Sequence, residues 1–197
     1  MTRIAILGTG NMGSGVAARL NGKADVVIGS RTPGAGQLTY ADAVSQADIV
    51  VFALPFDAAL EAAGTLALDG KTVVDMSNPV TADFSGLKLG HTSSAAEEIQ
   101  KAAPGARVIK AFNTIFASLF AVPANTTETV PVFVAGNDEA AVAAVDDLAT
   151  KAGFAVENVG GLDGARLLEP VGMLNIRFGY GLGRGTSIAP SWLKLAA

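Results

Sequence analysis

The feature that most constrains this chain is a glycine-rich turn directly after its first strand-like segment. Residues 8–13 spell GTGNMG, which matches the pattern G-x-G-x-x-G, and an Ala-rich stretch follows them. After a strand, the first glycine permits a tight turn, the second lets the backbone approach a pyrophosphate, and the third lets the helix pack closely. The pattern predicts a dinucleotide site at a helix N-terminus, with a ligand-free glycine turn as the alternative. The predicted contact residues are Gly8, Thr9, Gly10, Asn11, Met12 and Gly13.

Short apolar runs alternate with Ala-rich stretches through most of the chain. Runs of about five apolar or β-branched residues suit strands that are buried on both faces, and the stretches between them have helical spacing. Such alternation implies right-handed βαβ units, so we predict an α/β fold with a doubly wound, parallel Rossmann-type sheet. The predicted strands are 3–7, 25–29, 48–54, 71–76, 107–111, 130–135 and 154–159, and the predicted longer helices are 12–20, 58–66, 94–102 and 138–152.

Two parts of the chain depart from this alternation. Between the second and third strands there is room only for a loop and one short helix at 40–44. After the seventh strand the sequence becomes rich in glycine and aromatic residues, with one stretch, 165–178, apolar enough for a helix. We therefore predict a dinucleotide-binding domain over 1–160 and a small helical C-terminal segment over 161–197 that caps the sheet and completes the substrate pocket.

The composition excludes several classes of function. A net charge of -4 opposes binding to a phosphate backbone, so we expect no nucleic-acid partner. The chain has no cysteine and one histidine, His91, which excludes disulfides and cysteine-ligated or multi-histidine metal sites. Because it has no apolar run of about 18 residues and no signal-peptide pattern, we expect a cytoplasmic protein without a membrane span.

The end of the second predicted strand indicates which dinucleotide binds. Rossmann folds that bind NAD place an acidic residue there, roughly 20 residues after the glycines, to hold the ribose 2′-hydroxyl. This chain has Ser30, Arg31 and Thr32 instead. Arg31 offers a planar fork of donors to a 2′-phosphate, and the two hydroxyls add further donors. We predict NADP(H) rather than NAD; a solvated surface arginine is the alternative.

Other candidate contacts follow the remaining strands, because ligands in such sheets lie beyond the carboxyl ends of the strands. Leu54 and Pro55 are predicted to cover the ribose or adenine side. Asn78 and Asn113 are the best candidates to orient a carboxamide or a heterocycle, although asparagine is also common in turns and helix caps. His91 is a weak candidate for proton transfer. We predict no catalytic side-chain set, and no metal site.

Several segments of the chain together resemble a known family, the NADPH-dependent coenzyme F420 reductases. The resemblance covers nearly the whole chain, and the block KAFNT at 110–114 is more specific than the glycine motif; this block also recurs in the oxidoreductase domain of membrane metalloreductases. The similar segments are 6–13, 28–32, 77–79, 104–114, 168–174 and 181–186.

The resemblance implies reversible hydride transfer between NADPH and the deazaflavin F420, without a metal or a bound flavin. It implies that Thr9 to Met12 line the pyrophosphate and that Ser30 and Arg31 meet the 2′-phosphate. Asn78 and Asn113 would border the deazaflavin together with the C-terminal segment. Such enzymes are usually homodimers. This chain departs from the family in a shortened segment after Arg31, which flanks the adenosine side.

Two other functions remain open from the sequence. The first is an NADPH-dependent reductase of the same fold that acts on a flavin, quinone, ferric chelate or imine. The second is a module that binds NADP and reports it without catalysis. An apolar pocket beside the nicotinamide favours an enzyme, whereas a site without room for a second planar ligand favours the sensor.

Overall fold

The computed structural model describes residues 2–127 and 129–192 of the chain. Within these residues seven strands form one sheet in the order β2-β1-β3-β4-β5-β6-β7. Strands β1 to β5 are all parallel, which confirms the predicted doubly wound α/β class. The strands are β1 (Arg3–Leu7), β2 (Asp25–Gly29), β3 (Ile49–Phe52), β4 (Thr72–Asp75), β5 (Arg107–Lys110), β6 (Pro131–Gly136) and β7 (Ala155–Asn158).

Helices cover both faces of the sheet. Over the described residues they are α1 (Asn11–Leu20), α2 (Tyr40–Ser45), α3 (Phe56–Thr65), α4 (Ala95–Ala102), α5 (Ser118–Ala121), α6 (Glu139–Lys151) and α7 (Ala165–Ile176). One apolar layer joins the sheet to α1, α5 and α6. The other joins it to α2, α3, α4 and the start of α7. Side chains that point to either face of the central strands are therefore buried, which explains their continuous apolar runs.

Two strands, β6 and β7, differ in direction from the predicted parallel arrangement. β6 pairs antiparallel with β5, through Ile109 opposite Gly136 and Lys110 opposite Ala135. In the described part of the connection before it there are a four-residue helix, α5, and a 3₁₀ turn at Ala124–Thr126, whereas a crossover to a parallel neighbour is usually made by a longer α-helix. The chain consequently stays at the carboxyl edge of β5 and enters β6 from there.

The reversal determines where the C-terminal helix goes. β7 runs parallel to β6, so both strands end at the edge opposite the carboxyl ends of β1 to β5. Helix α7 begins at that far edge and runs back across the sheet, and a π-helical turn, Arg177–Gly181, extends it. The structure thus contains the helix predicted over 165–178. The final five residues of the predicted segment 161–197 lie outside the described part of the chain.

Candidate cofactor and substrate site

The glycine turn between β1 and α1 has the geometry that its sequence predicts. Gly8 has φ +113°, and its N–H donates to the carbonyl of Gly29 at 3.1 Å. A Cβ atom at Gly8 would collide with the carbonyl oxygen of Ala53, and one at Gly13 would collide with the carbonyl oxygen of Gly8. Beside Gly10 the space is open. Two glycines therefore shape the turn, while the third leaves its backbone accessible at the start of α1.

A cavity of about 410 Å³ opens at this turn, where the carboxyl ends of β1, β3, β4 and β5 meet. Of the predicted site residues, Gly10, Asn11, Met12, Leu54, Pro55, Asn78 and Asn113 line it, whereas Gly8, Gly13 and Thr9 belong to the turn behind it. Its full lining is Gly10, Asn11, Met12, Ala53, Leu54, Pro55, Met76, Ser77, Asn78, Val80, Phe112, Asn113, Thr114, Ile115, Phe116, Ala117, Gly172, Asn175, Ile176 and Tyr180.

The predicted 2′-phosphate residues lie outside this cavity, on the loop after β2. Register places that loop beside the glycine turn, because Gly29 is paired with Leu7. The Ser30 hydroxyl and the backbone of Thr32 hydrogen-bond each other, and the Ser30 N–H donates to Leu38. Arg31 is exposed and makes no side-chain hydrogen bond to any other described residue. Its guanidinium is thus free to bind an anion beside the glycine turn.

An amide pair forms the floor of the cavity. The side-chain NH₂ of Asn78 donates to the carbonyl of Asn113 at 2.8 Å, and the NH₂ of Asn113 donates to the Asn78 Oδ1 at 2.9 Å. The NH₂ of Asn113 also donates to the carbonyl of Leu168 on α7, at 3.0 Å. Neither asparagine caps a helix here. The two predicted residues are thus brought together, and Asn113 ties the pair to the C-terminal segment.

Three buried polar atoms around this pair have no hydrogen-bond partner among the described residues: Asn113 Oδ1, Thr114 Oγ1 and Ser77 Oγ. All three residues line the cavity. A buried polar atom without a partner costs about 1–3 kcal/mol, so a ligand that supplies the missing hydrogen bonds is favoured. The preceding residue, Phe112, has φ +63°, a rare conformation for a bulky side chain. These features indicate a polar ligand group at this end of the cavity.

A fully buried ion cluster lies under the amide pair. Lys110 at the end of β5 donates to Asp75 Oδ2 at 2.6 Å, to the carbonyl of Ser77 at 2.7 Å and contacts Glu169 Oε1 at 2.8 Å. Burial favours the neutral form of Lys110, but the two carboxylates outweigh it and raise its pKa. Burial raises the pKa of Glu169, although Lys110 opposes that shift. The side chains of all three residues are at most 2% exposed.

Sequence patterns indicated part of this cluster only. Asp75 lies near the end of the predicted strand 71–76, and it accepts a hydrogen bond from the Ser77 N–H at 2.9 Å. No role was predicted for Glu169, although it lies in the family-like segment 168–174 and is the one acid in the apolar stretch 165–178. The cavity residues on α7 and beyond, such as Gly172, Asn175 and Tyr180, were also missed, because helical spacing alone does not tell which face meets the site.

A second cavity, of about 650 Å³, adjoins the first and shares Ile176 and Tyr180 with it. Its other walls come from the loop after β4 and from α7 with its π-helical extension. Tyr180 and Phe84 are largely exposed, at 70% and 63%, which leaves two aromatic rings available to a planar ligand. Its lining residues are Asp83, Phe84, Met173, Ile176, Arg177, Tyr180 and Gly181. The two adjoining cavities therefore form a continuous space that extends from the glycine turn to the loop after β4.

His91 is exposed, with φ +27°, and lies in the loop before α4. It lines neither cavity, so the geometry gives no support to a role in proton transfer. Among the described residues there is no group of three or more metal-ligating side chains, and no helix long and apolar enough to cross a membrane.

Comparisons with known proteins identify the family of this chain. The family described as NADP oxidoreductase coenzyme F420-dependent matches residues 3–79, which hold the glycine turn, Arg31 and Asn78. A crystal structure of a candidate F420-dependent NADP-reductase from Arthrobacter sp. FB24 is 32% identical, with a TM-score of 0.84; the alignment covers 98% of this chain and 100% of that one.

Two curated proteins are also similar. The F420-dependent NADP reductase of Methanocaldococcus jannaschii is 28% identical over 198 residues, which are 86% of this chain and 88% of that protein. Metalloreductase STEAP3 of Rattus norvegicus is 32% identical over 181 residues. That match covers 86% of this chain but only 36% of the metalloreductase, so this chain spans about a third of that relative. The chain belongs to the coenzyme F420-dependent NADP oxidoreductase family and is an NADP-dependent oxidoreductase.

Proposed function

We propose that this enzyme transfers a hydride between NADPH and the deazaflavin coenzyme F420. The observation that carries the proposal is the pair of adjoining cavities: one begins at the glycine turn, and the other has exposed aromatic walls. A dinucleotide alone leaves the second cavity free for a planar partner of drug-like size. The names of the Methanocaldococcus and Arthrobacter relatives point to F420 as that partner.

The residues present fit NADP(H). Gly10 has open space beside it, so the segment 9–12 can hold the pyrophosphate at the N-terminus of α1. Arg31, with Ser30 and Thr32, would hold the 2′-phosphate, and Leu54 and Pro55 would cover the ribose side. The unpartnered oxygen of Asn113 suits an amide donor, which a nicotinamide carboxamide provides.

In this proposal the protein orients the two cofactors and shields them from water, and the hydride passes directly between the cofactors. When both are bound, the reduced nicotinamide supplies a hydride and the deazaflavin takes it together with one proton. Asn78 and Asn113 set the orientation of the nicotinamide, which lowers the entropic cost of reaction. Buried Met76 and Phe112 give the cavity an apolar wall that limits the entry of water.

The test is a spectrophotometric assay in which the purified protein is mixed with F420 and with either NADPH or NADH. We expect the visible absorbance of the deazaflavin to fall with NADPH and much less with NADH. Tight NADPH binding without F420 turnover would overturn the acceptor assignment, and turnover with FMN or a ferric chelate would then identify another acceptor.

One substitution locates the acceptor in the second cavity. Phe84→Ala removes a ring that lines the second cavity and not the first, so we expect the KM for F420 to rise about 10-fold, as for the loss of one aromatic stacking contact of about 1.5 kcal/mol. The dissociation constant for NADPH should change little. Trp192→Ala is the control, because Trp192 is similarly exposed but lines neither cavity. Equal KM values in the two variants would contradict this placement.

We also propose that residues 161–197 complete the substrate pocket of a dinucleotide domain over 1–160. We further propose that the enzyme is a homodimer. Leu167 and Leu174 are 68% and 49% exposed and lie seven residues apart on one face of α7, a pattern that suits a helix partner. Light scattering of the wild type and of Leu174→Glu checks this: we expect a dimer and a monomer, respectively. A monomeric wild type would contradict it.

A further inference from the structure

The buried cluster around Lys110 joins the elements that present the Asn78–Asn113 amide pair. Lys110 lies on β5, three residues before Asn113. Its ammonium donates to the carbonyl of Ser77, the residue before Asn78, while Asp75 accepts from the N–H of Ser77. The two peptide groups that flank Ser77 are thus both fixed: the N–H of the first donates to Asp75, and the carbonyl of the second accepts from Lys110.

The same ammonium also reaches the C-terminal helix. Glu169 on α7 contacts Lys110 at 2.8 Å and accepts hydrogen bonds from the N–H groups of Ala95 and Ala96, at 3.0 and 3.4 Å, at the start of α4. The residue before Glu169 is Leu168, whose carbonyl accepts from Asn113. One cation therefore fixes both the strand end that carries Asn78 and the helix that holds Asn113.

Stability alone does not account for this cluster. Removing three charged groups from water is costly, and buried ion clusters are often no more stabilising than apolar residues of similar volume. Their charge-assisted hydrogen bonds are, however, short and directional, so they fix geometry. The geometry that they fix here belongs to the amide pair, whose two residues line the cavity and whose buried Asn113 Oδ1 has no hydrogen-bond partner among the described residues.

We propose that Lys110 is a positioning residue, whose ammonium holds the Asn78–Asn113 pair in the orientation that receives the nicotinamide end of NADP(H). This inference rests on the proposed placement of the cofactor, and it does not depend on which acceptor is reduced.

The test uses Glu169→Gln rather than a change of Lys110. Replacing Lys110 would leave two carboxylates unpaired in the interior, whereas Glu169→Gln leaves one cation and one anion there. Glu97→Gln is the matched control. Like Glu169, Glu97 joins α4 to α7, because its Oε2 accepts a hydrogen bond from Arg166 Nε at 2.9 Å, but it does not line the cavity. Asp75→Asn serves as a second variant, which also leaves balanced charges. Circular dichroism establishes that each variant is folded.

The readout is calorimetric binding of NADP⁺ and of 2′-phospho-ADP-ribose, which lacks the nicotinamide. We expect Glu169→Gln and Asp75→Asn to weaken NADP⁺ binding about 10-fold, the loss of one well-placed hydrogen bond, and to leave binding of 2′-phospho-ADP-ribose within about twofold. Glu97→Gln should change neither. Equal loss for both ligands, or no loss for either, would overturn the positioning role. So would a wild type that binds both ligands equally, because the pair would then not engage the nicotinamide.

Failure of this inference differs from failure of the proposed function. A protein that does not reduce F420 still allows the binding comparison. Conversely, F420 turnover with unchanged binding in Glu169→Gln would retain the proposed function and remove the positioning role.

Discussion

At the scale of single residues, selectivity for the cofactor depends on Arg31. Its side chain is exposed, lies next to the glycine turn and has no hydrogen-bond partner among the described residues, so its donors are available. A charge-assisted hydrogen bond contributes roughly 1.5–3 kcal/mol, which corresponds to about a 10- to 100-fold change in affinity. We expect Arg31→Ala to weaken NADPH binding by about that factor while NADH binding changes little.

Fluorescence titration with each nucleotide measures this preference. Arg107→Ala is the control, since Arg107 is also exposed but lies at the start of β5, at the far edge of the sheet. An unchanged ratio of NADPH to NADH affinity in Arg31→Ala would contradict the assignment.

Single residues also show how far the sequence could lead. The glycine turn was predictable because the pattern G-x-G-x-x-G between a strand and a helix adopts one common backbone conformation. Asn78 and Asn113 were predictable because each of them follows a buried strand. The Lys110 cluster was not, because Asp75 lies 35 residues away in the chain and Glu169 lies on an element whose packing no local pattern specifies. Contacts between distant segments depend on topology, which periodicity leaves open.

At the scale of elements, the close approach of α7 to the amide pair depends on Gly172. A Cβ atom at this position would lie 2.6 Å from Asn78 Oδ1 and 2.9 Å from the carbonyl oxygen of Asn113. We expect Gly172→Ala to displace the Asn78–Asn113 amide pair. The kcat should then fall about 10-fold, because an orienting hydrogen bond would be misplaced.

Gly64→Ala is the matched control for this helix substitution. Gly64 is exposed within α3, and a Cβ atom there has no neighbour within 4 Å. Alanine should therefore keep full activity and raise the free energy of unfolding by up to about 1 kcal/mol. Steady-state kinetics and urea denaturation of both variants provide the check, and equal kcat values would show that α7 tolerates a methyl group at Gly172.

The direction of β6 shows what element patterns leave undetermined. An apolar run has the same appearance whichever way the strand points, so the alternation predicted a sheet and most of its boundaries but not this reversal. The signal was indirect: the connection before β6 lacks a long helix and contains Pro123. Such a connection does not return the chain across the sheet.

At the scale of the whole molecule, an ion pair between α4 and α7 makes stability depend on pH. The hydrogen bonds from Arg166 lower the pKa of Glu97, although partial burial opposes the shift. Because the folded-state pKa lies below the unfolded value of about 4.3, the stabilisation is present above that pH and is lost as the pH falls through the folded value. We expect Arg166→Gln to have a lower free energy of unfolding than the wild type at pH 7.

Urea denaturation from pH 7 to pH 3 tests the sign of this dependence. The difference between Arg166→Gln and the wild type should shrink below about pH 4 and vanish once Glu97 is protonated. A difference that stays constant over this range would mean that Arg166 stabilises through packing rather than charge.

The reversal of β6 also has a consequence for the nascent chain. It makes α7 the element that closes the site, so the site contains residues synthesised far apart in time. At roughly 5–20 residues per second, about 3–12 seconds separate the synthesis of Asn113 from that of Gly172. During that interval the strands that bind the dinucleotide can pair while the carbonyl and carboxylate of α7 that Asn113 and Lys110 require do not yet exist. The site is therefore complete only after α7 has been synthesised.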